Sequence, residues 1–92
     1  MDSTSASWYV YILKCADGSL YTGATTDLTR RLCEHLAGQA SRYTRGRLPV
    51  QLVYYEKHPN RSSAFRREAE IKKLDCKSKQ ILVSEFRIRP AN

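Results

Sequence analysis

Residues 9–23, YVYILKCADGSLYTG, constrain the fold more than any other stretch of the chain. Two apolar runs flank Asp17 and Gly18, and Asp-Gly between apolar runs is a strong signal for a β-hairpin. Residues 8–15 are dense in strand-forming side chains and predict the first strand, while residues 20–24 predict the second. The chain is therefore expected to begin its ordered part with two antiparallel strands.

The turn of this hairpin leaves two registers open. A two-residue loop puts Tyr11 and Tyr21 on opposite faces of the sheet. A three-residue loop, with Gly18 in the left-handed conformation of a G1 bulge, puts them on the same face. The relative position of the two tyrosines therefore depends on the conformation of Gly18.

A helix is predicted after the hairpin. Leucines recur at every fourth position from 28 to 36, which is the spacing of an apolar stripe along a helix. Thr26 or Asp27 can cap its start, and Gly38 can end it. Residues 39–49, QASRYTRGRLP, have no periodicity and hold three arginines, so we expect a loop there.

The second half of the chain predicts one strand and two helices. The strand covers residues 50–57, and a turn follows at residues 58–61. Ser62 or Ser63 can cap a helix that runs to about residue 74, and Ser78 can cap a short helix that ends at residue 86. The order ββαβαα predicts an α+β fold in which helices cover a small three-stranded sheet.

Length, signals and cysteine usage limit the kind of protein. Ninety-two residues make one domain, which we expect to span residues 8–87 between a disordered tail at 1–7 and a C-terminal tail at 88–92. Residues 1–7 are small and polar, unlike a secretory signal. Three widely spaced cysteines without a C-x-x-C motif argue against zinc and suit a reducing compartment, so we expect a cytoplasmic protein.

The net charge points to a partner class. Sixteen Lys and Arg against nine Asp and Glu give a formal net charge of +7. A basic surface can serve solubility alone, or it can bind a polyanion such as a nucleic acid by releasing condensed counterions. The sequence contains no long apolar stretch and no basic amphipathic stripe, so we expect no membrane association.

Helical phase separates two neighbouring arginines of the first helix. With Leu28 at zero and about 100° per residue, the leucine stripe reaches about 80°. Arg30 falls at about 200°, on the solvent side, whereas Arg31 and His35 fall at about −60° and −20°, along the edge of the stripe. The structural alternatives are a snorkelling arginine and a hydrogen-bonded boundary histidine.

Helical phase also singles out a carboxylate on the second helix. Relative to Ala64, its apolar side chains span an arc from about −80° to about 100°, and Glu68 falls inside it at about 40°. Glu70 lies on the outer face. A carboxylate among apolar residues must be paired, protonated or bound to a cation, so an ion pair with an arginine is the alternative to a functional site.

These side chain types suit phosphodiester hydrolysis. A hard cation on a carboxylate can polarise the phosphate, and an arginine can stabilise charge on the pentacoordinate phosphorus. A tyrosine hydroxyl or a histidine can orient or deprotonate the attacking water. None of these residues makes a motif alone.

The order of the short motifs resembles the GIY-YIG nuclease family. Its two signatures are matched by Tyr9-Val10-Tyr11 and by Tyr21-Thr22-Gly23. The segment DLTRRLCEH, residues 27–35, resembles the family in its spacing of Asp27, Arg31 and His35, and the segment EAEIKKL, residues 68–74, matches the family's later acidic helix. Small single-domain bacterial members also share the DGSLYTG hairpin and the segment RYTR at residues 42–45.

The resemblance implies a fold and an active site. The fold would be a three-stranded antiparallel sheet flanked by helices, with the site on one sheet face. The catalytic residues would be Tyr11, Tyr21, Arg31, His35 and Glu68. Glu68 would ligate one divalent cation, Mg²⁺ or Mn²⁺, and the substrate would be DNA rather than RNA.

The resemblance also favours one register of the hairpin. The family's site needs Tyr11 and Tyr21 on one face, so we predict the three-residue loop with Gly18 in a left-handed bulge. Gly23 can ease a strand bend and can also let a phosphate backbone approach closely. The general base is left open between Tyr11, Tyr21 and His35, since a phenol with a pKa of about 10 needs a nearby cation to act as one.

Basic residues around the site are candidates for nucleic-acid contact. Arg42, Arg45, Arg47 and Lys72 are expected to contact the backbone, although a soluble surface is the simpler explanation. Tyr43 could stack on an unpaired base. Because no helix suited to the major groove is apparent, single-stranded or structured DNA is favoured over duplex read by sequence.

The leading hypothesis is therefore a metal-dependent endonuclease acting on DNA. One alternative is a nucleic-acid-binding module of the same fold with little or no cleavage. Another is a nuclease subunit that needs a protein partner. Both alternatives differ from the leading hypothesis in whether the purified chain alone cuts DNA.

Overall fold

A computed structural model of the protein describes residues 7–86. The N-terminal tail predicted for residues 1–7 lies outside this range except for Ser7, and the C-terminal tail predicted for residues 88–92 lies outside it completely. Residue 87, the predicted end of the domain, is also outside. No helix within residues 7–86 is long and apolar enough to cross a membrane.

The described chain folds into three strands and four helices. The strands are β1 (Trp8–Lys14), β2 (Leu20–Thr25) and β3 (Gln51–His58). The helices are α1 (Leu28–Leu36), α2 (Arg42–Arg45), α3 (Arg61–Lys72) and α4 (Cys76–Phe86). The strands form one antiparallel sheet in the order β2-β1-β3, which confirms the predicted α+β fold.

The hairpin between β1 and β2 has the predicted three-residue loop. Gly18 has φ +86°, and its N–H donates to the carbonyl of Cys15 at 2.9 Å. The N–H of Cys15 donates to the carbonyl of Ser19 at 2.9 Å, which closes the loop. This register pairs Tyr11 with Gly23 and Leu13 with Tyr21, so both tyrosines lie on one face of the sheet.

The two faces of the sheet bury separate apolar clusters. One cluster joins Val10, Ile12 and Tyr54 to Ala64 and Ile71 of α3. The other lies on the face that carries α1, and its members are Tyr11, Leu13, Cys15 and Val50, with Tyr21, Leu28, Leu32 and Leu52 packed against them. The alternation of strand side chains between the two faces produces this division.

Two helix starts differ from the prediction. Asn60 caps α3 by accepting from the N–H of Ser63 at 2.8 Å, so neither Ser62 nor Ser63 is the cap. Asp75 accepts from the N–H of Ser78 at 2.8 Å, so it takes the place predicted for Ser78. In both cases an Asn or Asp three residues upstream competes successfully with serine for the same role.

The segment predicted as a loop contains a further helix. Residues 42–45 form α2, a single turn whose cap is Ser41, and the Ser41 side chain accepts from the N–H of Thr44 at 3.1 Å. A four-residue helix shows no apolar periodicity, so the sequence pattern gave no sign of it. This turn covers one end of α1 and affects the site described next.

Candidate active site

Tyr11 lies at the centre of the predicted site. It extends from β1 beneath α1, with only 2% of its surface exposed. Its hydroxyl lies 2.9 Å from Nε2 of His35, and its ring lies 6.5 Å from that of Tyr21. Both predicted tyrosines therefore stand on the sheet face that packs against α1.

His35 is more buried than the helical phase indicated. It was placed at the edge of the leucine stripe, but its exposure is 0%. The next residue, Leu36, was placed in the stripe and is 47% exposed. At this end of α1 the Tyr11 hydroxyl and Thr44 of α2 supply hydrogen-bond partners for an imidazole, so a polar residue takes the buried position.

Arg31 lies in a different environment from its neighbour Arg30, as the phase predicted. Their side chains are 34% and 67% exposed, respectively. Arg31 Nη1 donates to Oε1 of Glu34 at 3.0 Å. Interaction with Tyr11 is the main cause that raises the pKa of Arg31, so the guanidinium lies within range of the phenol.

Tyr21 connects the site to α2. Its ring lies 5.2 Å from the His35 ring and 5.9 Å from the Tyr43 ring, with which it is stacked at 29°. Tyr21 is half-buried, whereas Tyr11 is enclosed. Of the two phenols, that of Tyr21 is therefore the more accessible from solvent.

Glu68 lies on α3 and interacts with the site through its charge. Its side chain is 22% exposed, compared with 59% for Glu70 on the outer face. The charge of Glu68 contributes to the raised pKa of Tyr11, so its carboxylate lies within electrostatic range of the phenol. Oε2 of Glu68 also pairs with Nζ of Lys72 at 3.3 Å.

The residues present fit only one kind of metal site. Within residues 7–86 no cluster of three or more His, Cys, Asp or Glu side chains could hold an ion. Mg²⁺ in nucleotide-processing sites is commonly held by one or two carboxylates together with substrate phosphate and water. Glu68 fits a cation shared with substrate, whereas a permanent metal enclosed by protein ligands does not fit.

Burial sets the protonation states of the central pair. Burial raises the pKa of Tyr11 to about 12, against the lowering effect of Arg31. Burial, and then the charge of Arg31, lower the pKa of His35. At neutral pH both groups are therefore uncharged, and in the free site these shifts keep the proton on the phenol.

Gly23 faces the ring of Tyr11. A Cβ at Gly23 would lie 2.5 Å from the Tyr11 Oη and 2.6 Å from its Cζ. Gly23 is itself buried, and its φ is not positive. A side chain at position 23 would therefore collide with the Tyr11 ring on the neighbouring strand, which explains the glycine. Contact between Gly23 and a phosphate backbone stays a prediction.

The predicted nucleic-acid contacts divide into two groups. Arg42 and Arg45 are exposed on α2, the helix that carries Thr44, and Lys72 is exposed beside Glu68. Arg47 instead donates to Asp17 at 3.0 Å and to the carbonyl of Tyr43 at 2.9 Å. Arg47 thus ties α2 to the hairpin turn, and a phosphate contact would require it to leave Asp17.

Tyr43 is partly covered by protein groups. The guanidinium of Arg47 lies 3.9 Å from the centre of its ring, and the Tyr21 ring is stacked with it. The ring is nevertheless 38% exposed. A base that stacks on Tyr43 would have to use the exposed part of the ring or replace Arg47 or Tyr21. Base stacking on Tyr43 stays a prediction.

Two residues of the site were missed from the sequence. Thr44 is fully buried and its Oγ1 lies 2.9 Å from Nδ1 of His35. Glu34 holds Arg31. The i, i+3 spacing of Arg31 and Glu34 could have identified that pair, but no local pattern places Thr44 beside His35, nine residues away.

A family comparison covers most of the chain. A sequence model described as the GIY-YIG catalytic domain matches residues 7–80. A UPF0213 protein of Natronomonas pharaonis is 51% identical over 81 residues, which are 88% of this chain and 95% of the relative. A UPF0213 protein of Haloquadratum walsbyi is 56% identical over 77 residues, which cover 84% and 86% of the two chains.

Solved structures agree with the fold. The solution NMR structure of a UPF0213 protein of Bacillus halodurans has 48% identity and a TM-score of 0.57, and the match covers 86% of this chain and 84% of that one. An NMR structure of a protein of E. faecalis has 39% identity and a TM-score of 0.58, with 94% of each chain covered. None of these four names states an activity.

Proposed function

Because the chain belongs to the GIY-YIG catalytic domain family, which points to a nuclease-type activity, we propose that it is a metal-dependent endonuclease that hydrolyses phosphodiester bonds in DNA. One observation carries the proposal. The Tyr11 hydroxyl of β1 lies 2.9 Å from His35 Nε2 of α1, and the Tyr21 ring of β2 lies 5.2 Å from the His35 ring. The charge of Glu68 on α3, 57 positions from Tyr11 in the chain, also acts on the Tyr11 phenol.

The chain's own residues divide the reaction between them. Arg31 has the fork geometry that matches a phosphate and can stabilise the charge that develops in the transition state. Tyr11 and His35 provide a hydrogen-bonded pair that can hold or move the proton of an attacking water. Glu68 would hold a divalent cation, Mg²⁺ or Mn²⁺, which when bound would polarise the phosphate and the leaving oxygen.

The surrounding surface supports a polyanionic substrate. The net charge is +7, Arg42 and Arg45 are exposed on the helix that carries Thr44, and Lys72 is exposed beside Glu68. The exposed ring of Tyr43 offers a surface on which an unpaired base could stack, so we propose single-stranded or structured DNA as the substrate. The choice of DNA over RNA comes from the family resemblance.

Cleavage of labelled oligonucleotides in Mn²⁺ tests the proposal. Single-stranded, duplex and branched DNA should be compared with the wild type and with Arg31→Lys and Glu68→Gln. We expect each variant to lose about 100-fold or more in rate, because a point charge does not replace the guanidinium fork and an amide binds a hard cation poorly.

Two neighbouring residues provide matched controls. Arg30→Lys and Glu70→Gln make the same chemical changes on the solvent side of α1 and α3, and we expect rates near wild type. Equal rates for Arg31→Lys and Arg30→Lys would contradict the proposed site. Binding without any product in the wild type would instead favour the non-cleaving module.

A further inference from the structure

Three fully enclosed polar side chains from three elements form one hydrogen-bonded chain. Tyr11 of β1, His35 of α1 and Thr44 of α2 are 2%, 0% and 0% exposed. Tyr11 Oη lies 2.9 Å from His35 Nε2, and His35 Nδ1 lies 2.9 Å from Thr44 Oγ1. Because buried polar groups are costly unless paired, the donors and acceptors in this chain must match.

The direction of the hydrogen bonds follows from α2. The single proton of the Thr44 hydroxyl is donated to the carbonyl of Ser41, so towards His35 Nδ1 the hydroxyl accepts. A neutral imidazole carries one proton, so that proton sits on Nδ1. His35 Nε2 then accepts from the Tyr11 hydroxyl.

Ser41 completes the chain at its far end. Thr44 Oγ1 lies 3.4 Å from the carbonyl of Ser41 and 3.1 Å from its Oγ, so the threonine proton has an acceptor. Ser41 Oγ also accepts from the Thr44 N–H at 3.1 Å, which fixes the turn of α2. Thr44 is therefore oriented as an acceptor towards the imidazole.

We infer that Thr44 is a positioning residue that holds His35 in the tautomer with the proton on Nδ1, so that Nε2 stays free to accept the hydrogen bond of Tyr11. The inference deepens the proposed nuclease function and rests on it for its catalytic consequence. If His35 takes up a proton during the reaction, that proton goes to Nε2, and the resulting imidazolium still donates from Nδ1 to Thr44. The hydroxyl of Thr44 thus serves both charge states of His35.

The tautomer can be read directly in the free protein. Two-bond ¹H–¹⁵N spectra of ¹⁵N-labelled protein distinguish a protonated ring nitrogen from an unprotonated one. The chain has two histidines, and His58→Gln identifies the signals of the other one. We expect His35 to carry its proton on Nδ1 at neutral pH. A proton on Nε2 in the wild type would overturn the inference without any Thr44 variant.

Substitution of Thr44 tests the cause of the tautomer. Thr44→Val keeps the shape of the side chain and removes the acceptor, so we expect the ratio of the two tautomers to shift on the order of tenfold towards Nε2–H. Thr44→Ser keeps the hydroxyl and should restore the wild-type spectrum. If Thr44→Val retains the wild-type tautomer, Thr44 has only a packing role and the inference fails.

Thr22→Val is the matched control. Thr22 is also buried, with 3% exposure, and its hydroxyl has no hydrogen-bond partner among residues 7–86. We expect the His35 spectrum and the DNA cleavage rate of Thr22→Val to stay at wild-type values. A tautomer change in Thr22→Val as large as that in Thr44→Val would indicate a general packing effect and contradict the inference.

Cleavage assays separate this inference from the proposed function. With an active wild type, we expect Thr44→Val to lose on the order of tenfold in rate and Thr44→Ser to recover it. A rate unchanged in Thr44→Val despite an altered tautomer would remove the catalytic consequence. If the wild type cuts no DNA while His35 shows the expected tautomer, the proposed function fails and the positioning role of Thr44 stands.

Discussion

Replacement of Gly23 by alanine tests how the sheet holds Tyr11. The new Cβ would lie 2.5 Å from the Tyr11 Oη, where ordinary contacts begin at 3.4 Å, so the hydroxyl must move by about 0.9 Å. Tyr11 has little room to move, because its hydroxyl is bonded to His35 and it is 2% exposed. Alanine at position 23 therefore strains the centre of the site.

The expected magnitude comes from three opposing effects. Overpacking a buried site costs about 1–3 kcal/mol, and loss of the Tyr11–His35 hydrogen bond costs about 1 kcal/mol. Alanine reduces the freedom of the unfolded chain and returns about 0.4–1 kcal/mol, since the φ of Gly23 suits it. We expect a net destabilisation of about 1–3 kcal/mol, and a loss of about 100-fold in any cleavage rate because the hydroxyl is displaced by almost 1 Å.

Urea unfolding followed by the fluorescence of Trp8, the only tryptophan, measures the stability term. A double-mutant cycle with Tyr11→Leu isolates the contact, since Gly23→Ala should be neutral or stabilising once the ring is gone. Gly46→Ala is the control, because a Cβ at Gly46 meets nothing within 4 Å and its φ is −87°. Equal costs of Gly23→Ala with and without the Tyr11 ring would refute the reasoning.

Two further predictions concern stability. Arg67→Ala leaves the half-buried Glu56 without the guanidinium that lies 2.9 Å from its carboxylate. We expect urea unfolding to show a free energy of unfolding lower by about 1–3 kcal/mol. The control is Arg66→Ala at an exposed position, which should lower it by less than about 0.5 kcal/mol. Burial, and then the charge of Arg31, lower the pKa of His35 in the fold, so below about pH 6.5 the unfolded chain takes up a proton that the folded imidazole does not. The contribution of His35 to the free energy of unfolding is therefore complete above about pH 6.5 and is lost as the pH falls below that value. His35→Gln should therefore show a shallower loss of stability than wild type between about pH 6.5 and 5 in urea titrations; parallel curves would exclude this contribution.

Helical phase was sufficient to choose between adjacent residues of the same type. It distinguished Arg31 from Arg30 and Glu68 from Glu70, and the exposed fractions of these side chains agree. The choice succeeded because a regular helix fixes the direction of every side chain relative to the buried stripe. The Asp-Gly turn with its left-handed Gly18 was likewise predictable from local chemistry.

Contacts between distant segments could not be predicted in the same way. Helical phase predicts a boundary position for His35, but its burial depends on α2. This helix is a single turn in a segment without periodicity, so the sequence pattern does not reveal it. The apolar arc of α3 was drawn too wide, since Phe65 at its edge is 40% exposed and Leu74 beyond its end is 37% exposed. Phase gives the direction of a side chain, but the neighbouring elements decide whether anything covers it.

The charges of the proposed site rest in local ion pairs within their own helices. Arg31 is paired with Glu34 three residues on at 3.0 Å, and Glu68 with Lys72 four residues on at 3.3 Å. Partly exposed helical pairs of this kind contribute only about 0.3–0.5 kcal/mol. A phosphate could therefore take Arg31, and a cation could take Glu68, at little cost in stability. Tyr11 and His35 stay uncharged in the resting site, so the free protein keeps the site arranged without unpaired buried charge.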